Sequence, residues 1–173
     1  SFEGARRKNL AEQYLAKLID EVDAVITISN DKLLQVVDKK ISLLDALAVA
    51  DEILKQGVRC ISEIITVPGL INVDFADVKS VMQNAGSALM GIGQATGENK
   101  AIEAAKAAIN SPLLEMSIKG ARGALFIIAG GKDLTMHEVN EAAKVITSST
   151  DEDARIIFGV VIDERLKDEI KIT

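Results

Sequence analysis

The sequence predicts an α/β segment that passes through one long helix into an α+β lobe, and three patterns carry that prediction. Between residues 5 and 31 an amphipathic helix gives way to a β-branched run and then to a new helix start, the alternation from which layered α/β folds are built. From Ser42 to Ile65 apolar residues keep helical spacing without a break. Beyond Val67-Pro68-Gly69, further helices mix with apolar runs of strand length up to the end of the chain.

Taken in order, Leu10, Tyr14, Leu18 and Val22 recur every fourth residue, so a helix over 5–22 carries one apolar stripe. Asp23-Ala-Val-Ile-Thr-Ile-Ser-Asn30 then reads as a buried strand over 24–28 that closes in a loop or helix cap. In open α/β sheets ligands gather at the carboxyl ends of strands, which is where Asn30 falls, and Asn30-Asp31 opens a short helix. In the long helix, Leu43, Leu47, Ala50, Leu54, Val58, Ile61 and Ile65 share one face, while Leu44, Ala46, Ala48 and Val49 make the first half apolar all round. A helix of that kind is expected to be covered on several sides. Asp51, Glu52, Lys55, Gln56, Arg59 and Glu63 restore a polar face to the second half, so the helix should run from a buried junction toward solvent, as a spine between two lobes. Ser42 with Asp45 caps its start, and Val67-Pro68-Gly69 stops it, because proline lacks an amide donor and glycine accepts left-handed dihedrals.

After the stop, residues 70–77 lead into a helix predicted to continue through Val81, Ala85, Ala88 and Leu89 to the glycines at 91 and 93. A second helix over 99–110 ends at Ser111-Pro112. The rest reads as a strand over 123–129, a Gly-Gly turn, a helix over 135–148, and strands over 154–162 and 169–173. The chain divides accordingly at residues 1–41, 42–66 and 67–173.

Composition narrows the function classes. With 48% hydrophobic residues in 173, the chain can build a core without disulfide or metal staples. A net charge of −6, no basic run and only 3% aromatic residues argue against phosphate-backbone binding or base stacking, so nucleic acid is not an expected partner. No apolar stretch approaches the about 20 residues of a membrane span, and no signal-peptide core follows the amino terminus, so a cytoplasmic protein with no direct membrane insertion is expected. Cys60 stands alone beside Val58 and Ile61 and reads as a small buried thiol. The first residue is not methionine, and the alternating run 170–173 breaks off as if mid-strand, the look of a fragment.

Few motifs carry chemistry. Gly91-Ile-Gly93-Gln-Ala-Thr-Gly97 has its third glycine one place late for a dinucleotide loop and follows a helix, so helix termination with a turn is the better account. The sole histidine, His137, has no cysteine or second histidine nearby for a metal site and no nucleophile motif beside it; it reads as a surface residue, and no metal ligands are assigned. Hydrolytic chemistry would have to rest on carboxylates. Asp74 and Asp77 are the candidates, since a spacing of three at a helix start puts both near one face and near the positive end of the dipole, close to Asn72. Read from spacing alone, the same pair is a helix cap and a first-turn acid.

Asn72-Val-Asp74-Phe-Ala-Asp77-Val, preceded by Pro68-Gly69-Leu-Ile and followed by Met90-Gly-Ile-Gly93 and Ser111-Pro-Leu-Leu114, resembles the bacterial cell-division FtsZ family of the tubulin superfamily. Phe2-Glu-Gly4, Ile28-Ser-Asn30-Asp-Lys-Leu-Leu34, Ile41-Ser-Leu-Leu-Asp45 and Gly120-Ala-Arg-Gly123 fall in the family's order and spacing, so the resemblance runs the length of the chain. It implies a GTPase that polymerises head to tail in the septal ring at mid-cell. On that reading residues 1–41 are the end of a Rossmann-like GTP-binding domain, 42–66 the central helix, and 67–173 an activation domain with a small mixed sheet packed by helices. The family's glycine-rich phosphate loop has no counterpart here, so GTP or GDP and Mg²⁺ would be bound mainly by a part of the protein preceding residue 1. The resemblance also implies a tail beyond residue 173 through which other division proteins bind.

Carried over by position, the resemblance gives Glu3 and Arg7 to the ribose and phosphate region and Asn30 and Asp51 to the guanine base. A carboxylate at Asp51 can accept from both the ring NH and the exocyclic amine of guanine, a pattern adenine cannot match. Leu47 takes a place where the family usually stacks an aromatic ring, which implies weaker nucleotide affinity. Asp74 and Asp77 match the acids that orient a water against the γ-phosphate held by the next subunit, with Asn72 ordering their loop. The chain by itself is expected to be inactive. Two rival readings share the same fold: a non-enzymatic module that caps the polymer, and a tubulin-like cytoskeletal paralogue not used in division.

Overall fold

The computed structural model describes residues 4–28, 43–111, 114 and 117–173. Helix α1 (Ala5–Ile19) leads into strand β1 (Ala24–Ile26), and the long helix α2 spans Leu43–Thr66. Then follow α3 (Phe75–Met82), β2 (Gly86–Ala88), β3 (Gly93–Thr96), α4 (Lys100–Ile109), β4 (Gly123–Gly130), α5 (Met136–Thr147), β5 (Arg155–Ile162) and β6 (Glu169–Ile172). The predicted helix at Asn30-Asp31, the cap at Ser42 and the stop at Pro112 lie outside the described residues.

Strands β4 and β5 pair in parallel over eight residues, from Gly123↔Arg155 to Gly130↔Ile162, with α5 as the crossover between them. Antiparallel β6 lies on the other side of β4, and β3 closes the sheet in the order β3-β6-β4-β5. Because β4 and β5 are apolar at nearly every position, both faces of the sheet must be covered. On one face Phe126, Ile128, Val160, Ile170 and Ile172 pack under an alanine stripe of α4 (Ala101, Ala104, Ala105, Ala108) and under Val139, Ala142 and Ile146 of α5. On the other, Ile127 with Leu125, Ile157 and Val161 meets Ile64 and Cys60 of α2, Val73 of the loop that follows, and Val78 and Met82 of α3. Burial first, and the charge of Glu63 second, push the thiol of the half-buried Cys60 up to about 11.

Helix α5 starts on a reciprocal capping box: the Thr135 hydroxyl accepts from the Glu138 N–H and the Glu138 carboxylate accepts from the Thr135 N–H. Lys100 gathers three elements. Its Nζ lies 2.6 Å from Asp133, 3.0 Å from Asp168 and 3.7 Å from Glu138, joining the start of α4 to the approach to α5 and to the β5–β6 turn. The hydrogen bond to Asp133, supported by Asp168 and Glu138, holds its pKa above the ordinary lysine value despite burial.

Three expectations are corrected. The helix after Asp74 stops at Met82 and does not run on to residue 89: Asn84 turns left-handed (φ 55), Gly86 follows at φ 70, and the Asp23 carboxylate accepts from the Asn84 N–H. Residues 86–88 become a strand that pairs in parallel with β1. Alanines fit helical and strand periods alike, which is why spacing misjudged them. Secondly, Gly91 and Gly93 do not end a helix. They let β3 lie against α4: a Cβ at Gly91 would sit 2.1 Å from the Ala108 carbonyl, and at Gly93 1.9 Å from that of Ala104.

The third correction concerns α2, whose exposure gradient is the reverse of the one expected. Leu44, near its start, is 80% exposed, whereas Ile64, in its last turn, is 5% exposed. Among the described residues the contacts of α2 with the β4–β5 sheet come from its carboxyl-terminal half, while Leu44 and Leu54 stand open, as do Leu10, Tyr14 and Leu18 of α1 and Val22 beyond it.

Two predictions follow from this packing. Gly93→Ala forces β3 off α4 and should cost about 1–3 kcal/mol, read as a lower urea midpoint; an unchanged midpoint would contradict the close approach. The Arg165 hydrogen bond first, with lesser help from its backbone N–H and from nearby charges, holds the Asp163 carboxyl at about 2. Its folded value lies below the unfolded value of about 3.9, so its stabilisation is complete above pH about 4 and is lost as pH falls toward 2. Asp163→Asn should therefore flatten the urea-midpoint curve between those pH values, and an unaltered slope would count against this anchor.

Candidate functional site

Where α2 ends, the chain turns onto the outer edge of β5. The Leu70 N–H donates to the Val160 carbonyl at 2.8 Å and the Val160 N–H donates to the Ile71 carbonyl at 3.1 Å, an antiparallel bridge that occupies a free strand edge. Gly69 is required for that approach, since a Cβ there would lie 2.2 Å from the Val160 carbonyl oxygen. The Asn72 carboxamide oxygen accepts from the Gly69 N–H at 2.7 Å and closes the loop on itself. Val73 is buried beside Ile64 and Gly159 and fixes the loop to the sheet.

Asp74 is the N-cap of α3. Its carboxylate accepts from the Asp77 N–H at 2.7 Å, and the Asp77 carboxylate accepts from the Asp74 N–H at 3.4 Å, a capping box made of two acids. The far end of α3 is tied down by Arg155, whose Nη1 donates to the Ser80 carbonyl at 2.7 Å. Asn72, Asp74 and Asp77 are all exposed, and they are flanked by Leu70 at 70% and Phe75 at 64% exposure. Among the described residues one oxygen of each carboxylate serves the cap and the other takes no hydrogen bond. The second oxygen of each carboxylate can accept a hydrogen bond from a water or face a cation.

The structure thus brings Asn72, Asp74 and Asp77 together. Of the five nucleotide positions, Arg7 is exposed on α1 and Asp51 is exposed on α2, Leu47 lies in α2, and Glu3 and Asn30 lie outside the described residues. A cavity of about 650 Å³ between α2 and the sheet is lined by none of the five. His137 is a surface residue, 3.6 Å from Glu141. Among the described residues no three histidine, cysteine, aspartate or glutamate side chains could hold a metal ion, so they do not fit a Mg²⁺ site by themselves. The sequence reading treated Pro68-Gly69 only as a helix stop and missed that Gly69 seats the loop. A glycine directly before the acidic loop was the available signal.

Residues 86–173 match the family described as FtsZ family, C-terminal domain. The chain belongs to the FtsZ family. A mutant FtsZ of M. jannaschii superposes with a TM-score of 0.85 at 44% identity, covering 91% of this chain and 47% of that one. An M. jannaschii FtsZ described as an empty dimer gives the same score and identity, with 46% of its chain covered. The GDP-bound CetZ1 monomer from Haloferax volcanii matches 99% of this chain and 50% of its own, with a TM-score of 0.71 at 19% identity, a likeness of fold alone. This FtsZ-family chain spans about half the length of these structures. Its mixed sheet with helices on both faces is the expected architecture.

The capping role makes a direct prediction. Asp74→Ala should loosen the start of α3 by about 1 kcal/mol and speed amide exchange at Asp77 and Val78, while Asp74→Ser preserves protection. Equal exchange in all three proteins would contradict the cap.

Proposed function

We propose that this chain supplies the hydrolysis-activating face of a tubulin-like GTPase that polymerises into protofilaments for cell division. The observation that carries the reading is the rigid pair Asp74 and Asp77, exposed between Leu70 and Phe75 on a loop anchored to the sheet edge. Exposed apolar side chains around fixed acids suit a face that docks on another subunit. An FtsZ of M. jannaschii described as a dimer supports self-association.

On this reading the neighbour presents GTP across a head-to-tail contact. The free carboxylate oxygens of Asp74 and Asp77 accept hydrogen bonds from a water and hold it in line with the γ-phosphate, and Asn72 keeps their loop in place through the Gly69 N–H. Phosphoryl transfer depends on positioning and electrostatics, so orienting groups supplied in trans couple hydrolysis to assembly. Mg²⁺ would supply charge neutralisation at the phosphate, and the described residues would not hold it by themselves. Arg7, Glu3, Asn30, Leu47 and Asp51 belong to the chain's own nucleotide site, with Asp51 and Asn30 reading guanine. The working location is the cytoplasmic ring at mid-cell, with other division proteins engaged through a tail beyond residue 173.

A second reading rests on the chain's coverage of only half of its matched structures: alone, it would act as a module that docks on a protofilament end without hydrolysing GTP. In a full-length protein, Asp77→Ala should bind GTP normally and lose about a hundredfold of its polymer-dependent hydrolysis. Undiminished turnover would overturn the assignment.

A further inference from the structure

Helix α3 has only 8 residues and carries the acid pair at its start, so whatever fixes its last turn bears on the acids as well. That last turn loses a backbone donor. The Gln83 N–H still donates to the Lys79 carbonyl, but the next donor in helical order, the Asn84 N–H, goes to the Asp23 carboxylate at 3.1 Å as Asn84 turns left-handed at φ 55. The Ser80 carbonyl is thereby deprived of its helical partner. Arg155 replaces it: Nη1 donates to the Ser80 carbonyl at 2.7 Å and sets a cation at the negative end of the helix dipole.

The backbone that presents Arg155 is firmly seated. Arg155 opens β5 opposite Gly123 of β4, its N–H donates to the Arg122 carbonyl at 2.9 Å, and the turn before it is held by the Asp151 N–H on the Ala121 carbonyl at 3.2 Å. Gly123 lets α3 settle at this point, since a Cβ there would lie 2.9 Å from Val81 Cγ1. From Ser80 the connection runs on toward the acids. The Ser80 hydroxyl donates to the Asp77 carbonyl at 2.7 Å, and the Asp77 N–H donates to the Asp74 carboxylate at 2.7 Å. One row of hydrogen bonds thus joins the start of β5 to both acids. A helix this short is marginal on its own, and fraying that reaches Ser80 also reaches Asp77, three residues back on the same face.

We propose that Arg155 is a positioning residue for Asp74 and Asp77: it caps α3 from β5 and so keeps the acid pair in one fixed arrangement. Its effect on hydrolysis rests on the role proposed above for those acids, whereas its hold on them does not.

The test begins with hydrogen exchange on the whole 173-residue chain. Arg155→Ala should speed exchange of the Asp77 amide about fivefold and leave Ile128, in the middle of the sheet, unchanged. Arg155→Lys, which keeps a donor for the single bond in use, should restore most of the protection. The native, Ala and Lys chains are then titrated into a GTP-loaded FtsZ whose own two loop acids are alanine. Arg155→Ala should lower the maximal rate of phosphate release about tenfold with the half-saturating chain concentration unchanged, and Arg155→Lys should recover most of that rate. An Asp77 amide that exchanges alike in the native and Ala chains, equal acceleration at Ile128, or a raised half-saturating concentration with the maximal rate intact would overturn the positioning role. A native chain that stimulates no release would instead contradict the GTPase reading, and exchange at Asp77 would then decide the hold of Arg155 by itself.

Discussion

The parallel pairing of β4 with β5 places apolar side chains on both faces of a sheet, and such a sheet folds only if it is covered twice. The alanine stripe of α4 and the apolar face of α5 cover one side, and the end of α2 with α3 covers the other. The edge of β5 remains, and Leu70-Ile71 takes it. Asp74 and Asp77 therefore stand where they do because the sheet needed a cover and an edge partner, and the segment meeting both needs is the one that carries them.

That origin explains how exposed acids can be rigid. A short surface helix is marginal in isolation, but α3 is capped by Asp74 and Asp77 at one end, held by Arg155 at the other and pinned by Val78 beneath. The cap uses one oxygen of each acid and leaves the other for a partner, so the capping role is compatible with the role proposed for the same side chains. Pre-set geometry of this kind lowers the cost of orienting a water at a phosphate.

Much of this was legible in the sequence. The apolar runs at 123–129 and 154–162 have strand length, the helix over 135–148 starts at Thr135, and the three-residue spacing of Asp74 and Asp77 already places them on one helix start. What escaped depended on contacts between distant residues. Gly93 could be explained only once α4 lay over it, Gly69 only once Val160 faced it, and the exposure of Leu44 only once the sheet was seen to reach the other end of α2. The roles proposed for Glu3, Arg7, Asn30, Leu47 and Asp51 rest on family resemblance, because no local pattern joins residues so spread along the chain.

The central claim, that these acids act on nucleotide held by another subunit, can be tested by complementation. An FtsZ whose own two loop acids are replaced by alanine is loaded with GTP, and the purified 173-residue chain is added in excess under single-turnover conditions. The account predicts that phosphate release rises with the native chain and not with a chain carrying Asp74→Ala and Asp77→Ala. Equal release with both chains, at concentrations where both bind, would contradict it.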